Sequence, residues 1–181
     1  MATAPSPRLP DSTTSVANTG KATLQHALAV RIPTTAAARA AIGAACQRAD
    51  AHQRRRTRAL LRLGGVPIPP LAEAPLARVF INHPAISPQV PITDPHYVGT
   101  VSFFGAGAGH AHGSAPGGAA SDADDPVSFA LDLTPTLERL HRLGEPVGSS
   151  ITVQIVPVML RTCVTYCEIV PTTIELVTFG G

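Results

Sequence analysis

Tryptophan is absent from the 181-residue chain, and five Phe and two Tyr supply all of its 4% aromatic content. A core built without large rings relies on aliphatic side chains, and a domain of this size buries a modest one. Charge of one sign is also missing. A formal net charge of +2 is too small to imply nucleic acid as a global partner. Cysteine is scarce. Cys46, Cys163 and Cys167 are three and widely spaced, which argues against a secreted disulfide scaffold. No apolar run is long enough to cross a bilayer. The first twenty residues lack the apolar segment of a signal peptide, so the expected setting is cytoplasmic, away from membranes.

What is plentiful is punctuation. Eighteen Pro and 15 Gly predict many turns and few long helices. Residues 1–20, rich in Pro, Ser, Thr and Ala, read as a disordered tail or linker. A single domain over 21–181 follows. Within it, the Ala/Arg-rich stretch 34–56 reads either as a helix capped by Thr35 or as a mobile insertion. The basic cluster Arg54, Arg55, Arg56, Arg58 and Arg62 reads as a solvated strand edge or loop, because no aromatic residues interleave it.

Strand signals recur along the rest. "ALAVRIP", "RALLRLGGVPIP", "LARVFINHP", "HYVGTVSFFG", "VSFALDL", "SSITVQIVP" and "TTIELVTF" are short apolar segments bounded by turn residues. In "VSFALDL", Phe129 and Leu131 share one face and Asp132 takes the other. In "SSITVQIVP", Ile151, Val153 and Ile155 alternate with Thr152 and Gln154. One helix is expected over "TPTLERLHRLG", with Thr134 as cap, Pro135 in the first turn, Gly144 as stop and a buried stripe of Leu137, Leu140 and Leu143. The predicted class is all-β, an antiparallel, jelly-roll-like β-sandwich with one short helix.

Chemistry-bearing residues are few. The seven histidines include no pair spaced four apart on a helix. His110 and His112, in the Gly-rich stretch after "SFFG", could face one side of an extended segment. Two ligands make a weak site, so His96, Cys163 or Cys167 would have to converge with them. Otherwise they are polar residues of a surface loop. Met159, Cys163 and Cys167 offer sulfur suited to Cu(I). In a regular strand, however, Cys163 and Cys167 would lie about 13 Å apart, at roughly 3.3 Å per residue. Only a bend there makes a metal or redox pair; in a strand they are structural thiols. No nucleophile elbow appears, and "GAGAGHAHG" opens no helix, which excludes a dinucleotide loop. Asp122, Asp124 and Asp125 read as a solvated acidic loop.

The ordered blocks "ALAVRIP", "LLRLGGVPIP", "ARVFINHP", "DPHYVGTVSFFG", the His-x-His loop, "VSFALDLTPTLERL" and "ITVQIVPV" resemble the C-terminal shielding domain of polyphenol oxidases, the tyrosinases and catechol oxidases. The resemblance covers about 150 residues of the sequence. It implies a domain that is no enzyme by itself and carries no intrinsic cofactor. Its partner would be a dicopper oxidase domain, in cis or in trans, whose copper entrance it covers. The covering loop would contain Phe104, Gly105, Gly107, Gly109, His110 and His112, with Phe104 or His110 as the inserted side chain. Transient copper binding through Met159, Cys163, Cys167, His110 and His112 is the alternative, a small copper-delivery protein. A free-standing β-sandwich binding module is the third.

Overall fold

The structure, a computed structural model, describes residues 10–17, 19–47, 58–68, 76–103, 126–158 and 167–179. In chain order its elements are β1 (Ser12–Ala17), β2 (Ala22–Thr23), β3 (Leu28–Pro33), α1 (Ala36–Gln47), β4 (Arg58–Val66), β5 (Leu76–Ile81) and β6 (Tyr97–Ser102). They continue with β7 (Val127–Asp132), α2 (Thr134–Arg142), β8 (Ser150–Val158), β9 (Glu168–Ile169) and β10 (Thr173–Phe179). Two four-stranded antiparallel sheets, ordered β1-β10-β4-β7 and β3-β8-β5-β6, form the sandwich, with β2 and β9 as a separate short pair. The all-β sandwich expected from the alternating segments is what forms.

The core lies between the sheets and follows the period of two. Val30, Val153 and Ile81 are register partners across three strands, and all three are buried. Leu61, Leu63, Ile174 and Leu176 face them from the other sheet and are buried as completely. Each such side chain contributes about 1.5–3 kcal/mol on leaving water, so a few rows of aliphatics replace the missing large rings.

Several expectations are corrected. The tail ends sooner than composition suggests: Ser12–Ala17 is a strand, paired residue for residue from Ser12↔Thr178 to Ala17↔Thr173. Backbone hydrogen bonding to β10 holds it, which a Ser/Thr-rich composition does not reveal. Of the stretch 34–56, Ala36–Gln47 is a packed helix rather than a mobile insertion. Thr35 caps it by accepting from Ala38 N–H at 3.0 Å, and Ala38 and Ile42 are buried. There are thus two helices among the described residues, not one. Strand β4 lies inside its sheet, between β10 and β7, so the "solvated edge" is wrong for Arg58 and Arg62. Both arginines are exposed on an interior strand instead, and Arg62 faces Glu175 at 3.8 Å. Arg54, Arg55 and Arg56 lie outside the described residues.

The second helix starts differently from the expected pattern. Thr134 Oγ1 accepts a hydrogen bond from Ala59 N–H at 3.0 Å, while Asp132 Oδ1 accepts from Thr134 N–H. Thr134 therefore ties the helix to β4 rather than capping it, and Leu133 holds the cap position. Leu137 and Leu140 are buried, but Leu143 is 58% exposed. A spacing of three drifts around a 3.6-residue turn, and the helix ends at Gly144 with φ +81° before Leu143 meets the core.

The outward face of β8 and β5 is also buried. Phe80, Gln154 and Val156 point away from the main core, yet each is under 9% exposed. The connection between β5 and β6 folds over this face, held where Arg78 donates to the Val90 carbonyl at 3.2 Å.

Candidate functional site

Strand register decides which connections share an end of the sandwich. Leu76, the first residue of β5, is the register partner of both Ser102 and Val158, the last residues of β6 and β8. The chain therefore leaves β6 toward Phe104, and leaves β8 toward Met159, from one row of the sheet. Those two exits flank a single strand, about 10 Å apart at the usual spacing of roughly 4.8 Å. On the other sheet, Val127 re-enters opposite Val66 at the end of β4. Phe104, Gly105, Gly107, Gly109, His110, His112, Met159 and Cys163 themselves lie outside the described residues. What the fold establishes is that their two connections start from the same pole.

The base of the longer connection is fixed. Phe103, 1% exposed, meets Phe129 of the opposite sheet edge to face, with centroids 5.2 Å apart and planes at 78°. Gly99 of β6 also sits close to Leu131 of β7: a Cβ added there would lie 3.2 Å from the Leu131 side chain. Exit and return of residues 104–125 are thereby anchored on two sheets that touch.

Cys167 belongs to the interior. It is 1% exposed and part of the hydrophobic core, immediately before β9. A thiol in that position packs as a small apolar group. Cys46, the third cysteine, is half-buried on α1, and burial, with a smaller contribution from the Glu138 carboxylate, raises its thiol pKa above 9.0.

At the opposite pole, His83 and His96 form a pair that the sequence alone did not bring together. Their rings meet edge to face with centroids 5.4 Å apart. His96 Nδ1 donates to the Ile81 carbonyl at 2.9 Å, since a carbonyl oxygen only accepts. Its Nε2 lies 3.7 Å from Glu145 Oε2. His83 Nδ1 accepts from Ala85 N–H at 3.1 Å, and its Nε2 lies 3.6 Å from Asp94 Oδ2. Arg139 of α2 completes the hub by donating to the Pro95 and Tyr97 carbonyls at 2.8 and 2.7 Å. The signal available in the sequence was positional: each histidine adjoins a proline, in "NHP" and "DPH", where a turn begins or ends. His96 is thus engaged here, at the far pole from the exit toward His110 and His112. Among the described residues, no group of three or more His, Cys, Asp or Glu side chains is placed to hold a metal ion. Nor is any helix among them long and apolar enough to cross a membrane.

Two antiparallel sheets, a helix pair closing one pole and long connections leaving the other define the class: an all-β sandwich domain. Residues 11–163 match the profile of a domain of unknown function, DUF7868, and the chain belongs to that family. No curated protein matches it. Solved structures similar to it include a recombinant latent aurone synthase, a polyphenol oxidase, at 18% identity and a TM-score of 0.49. Latent apple tyrosinase is similar at 12% identity and the same TM-score. Each alignment covers 87% of this chain but only 26% and 27% of the respective structures. The chain spans about a quarter of the length of these proteins.

Proposed function

We propose that this chain is a shielding or assembly domain for a dicopper oxidase of the polyphenol oxidase type, acting in cis or in trans and without catalysis of its own. One observation carries the proposal. The blocks that resemble the polyphenol oxidase C-terminal domain coincide with β3, β4, β5, β6, β7 with α2, and β8, which are all four strands of one sheet and two of the four in the other. The resemblance therefore runs through the folded core in chain order, rather than resting on one loop. In this role the connection carrying Phe104, His110 and His112 covers the copper entrance. Phe103 and Phe129 fix its base so that a closed position is held without a large entropic cost. Copper belongs to the partner domain, and a phenolic substrate is excluded sterically until the cover moves.

The experiment is a mixing assay. The purified chain is titrated into an active tyrosinase-type oxidase that lacks its own C-terminal region, and diphenol oxidation is followed. Saturable suppression is expected, and it is lost when residues 105–125 are replaced by a short glycine linker in a variant with unchanged circular dichroism. Absence of binding, with turnover unchanged, overturns the proposal.

Copper delivery is the second reading, favoured by the common pole from which the connections to His110 and to Met159 leave. Because Cys167 is in the core, this reading rests on Met159, Cys163, His110 and His112. Cu(I) titration of the reduced chain tests it. Copper fully retained by a Cys163→Ser, Met159→Leu variant removes the sulfur site.

A further inference from the structure

The two helices leave a crease between them that the shielding role does not use. A cavity of about 140 Å³ opens there, walled by Ile42, Cys46, Leu137 and Val147, with Arg39 and His141 at its rim. Gly43 forms part of its floor, and a Cβ added at Gly43 would meet nothing within 4 Å. A glycine in the middle of a helix costs about 1 kcal/mol relative to alanine, and here its effect is to keep this space open. Beneath lies a second, smaller chamber of about 10 Å³ that shares Ile42, Cys46 and Leu137 as walls. Thr178 lines it from β10. That hydroxyl is 99% withdrawn from solvent, since Thr178 is 1% exposed, and it has no hydrogen-bond partner among the described residues.

An unpaired hydroxyl in an apolar setting costs about 1–3 kcal/mol, so something that completes it is favoured. The inner chamber alone admits one water-sized group. The outer cavity is close to the size of an engineered apolar cavity of roughly 150 Å³ that takes up benzene. We infer that the α1/α2 crease is a binding site for a small ring-bearing alcohol, its ring against Ile42, Leu137 and Val147 and its hydroxyl directed to Thr178 Oγ1. The ring supplies the apolar area, and the hydroxyl gives Thr178 Oγ1 a hydrogen-bond partner that no other described residue provides. Arg39 is held at the rim by its donation to the Thr34 carbonyl at 2.6 Å, which fixes the mouth of the crease.

Cys46 provides the readout because it walls both spaces. The full chain is alkylated at mildly alkaline pH with and without cyclohexanol, and modification of the Cys46 peptide is followed by mass. Occupancy of about 90% slows alkylation about tenfold. Methylcyclohexane, which matches the ring and lacks the hydroxyl, protects less. Thr178→Val, which keeps the shape and removes the hydroxyl, abolishes that difference between the two probes. Gly43→Leu fills the crease and removes protection by both, while intact circular dichroism shows that the fold survives. Equal protection by alcohol and hydrocarbon in the unmodified chain overturns the role of Thr178. No protection by either probe overturns the site.

Discussion

Phe103 and Phe129 stack edge to face across the two sheets, 5.2 Å between centroids, where the chain leaves β6 and where it returns in β7. One ring follows β6 and the other belongs to β7, so the contact locks the sandwich where residues 104–125 leave and return. Such a pair adds about 0.5–1.5 kcal/mol beyond the area it buries.

Phe103→Ala is therefore expected to cost about 3–5 kcal/mol, the range for removing a buried Phe. Phe103→Leu keeps most of the volume and should cost under about 1.5 kcal/mol plus the lost ring contact. Urea denaturation of both variants checks the difference. In the mixing assay, the Ala variant should also suppress oxidation less at equal concentration, because an unanchored cover pays more entropy to close.

His83 and Gln154 exchange two hydrogen bonds: the His83 N–H donates to Gln154 Oε1, and Gln154 Nε2 donates to the His83 carbonyl, each at 2.8 Å. The side chain of a central strand thus pairs with the backbone of the β5–β6 connection as a neighbouring strand would. Gln154→Leu leaves a donor and an acceptor in a nearly dry place, and about 2–4 kcal/mol should be lost. Hydrogen exchange at His83 should accelerate more than exchange at Val153, which lies in the ladder opposite Val30 and is untouched by the change. Equal acceleration at both would mean that the whole sheet is opening.

Cys46 gives a pH dependence with a definite sign. Burial, and then the Glu138 carboxylate, raise its pKa above the unfolded value of 9.0. Between those values the unfolded chain has lost the thiol proton while the folded chain keeps it, so the unfolded state binds fewer protons. The contribution is fully present below pH 9.0 and is lost as pH rises through the folded value. Cys46→Ala should flatten the fall in stability above that pH. Glu138→Gln should bring the folded pKa part of the way down and speed alkylation of Cys46 at a fixed pH.

Most of the sandwich was legible because its strands carry a period of two with aliphatics on one side, and that pattern needs no partner to be seen. Val153 and Ile155 could be placed inside from their neighbours alone. Gln154 could be assigned only to the other face; that this face is covered depends on residues seventy positions away. Likewise Ser12–Ala17 has no apolar pattern, and becomes a strand because β10 offers it a row of backbone donors and acceptors.

The sequence by itself determined the alternation, the turns, the helix at Thr134–Arg142 and the ordered blocks that resemble a known sandwich domain, all of them local properties of the chain. Tertiary structure alone decided that β4 is interior, that Cys167 is core, that His83 and His96 meet, and that the exits toward His110 and Met159 share one pole. Those facts depend on strand order and register, which are set by pairing over long sequence separations and leave no mark on the residues between.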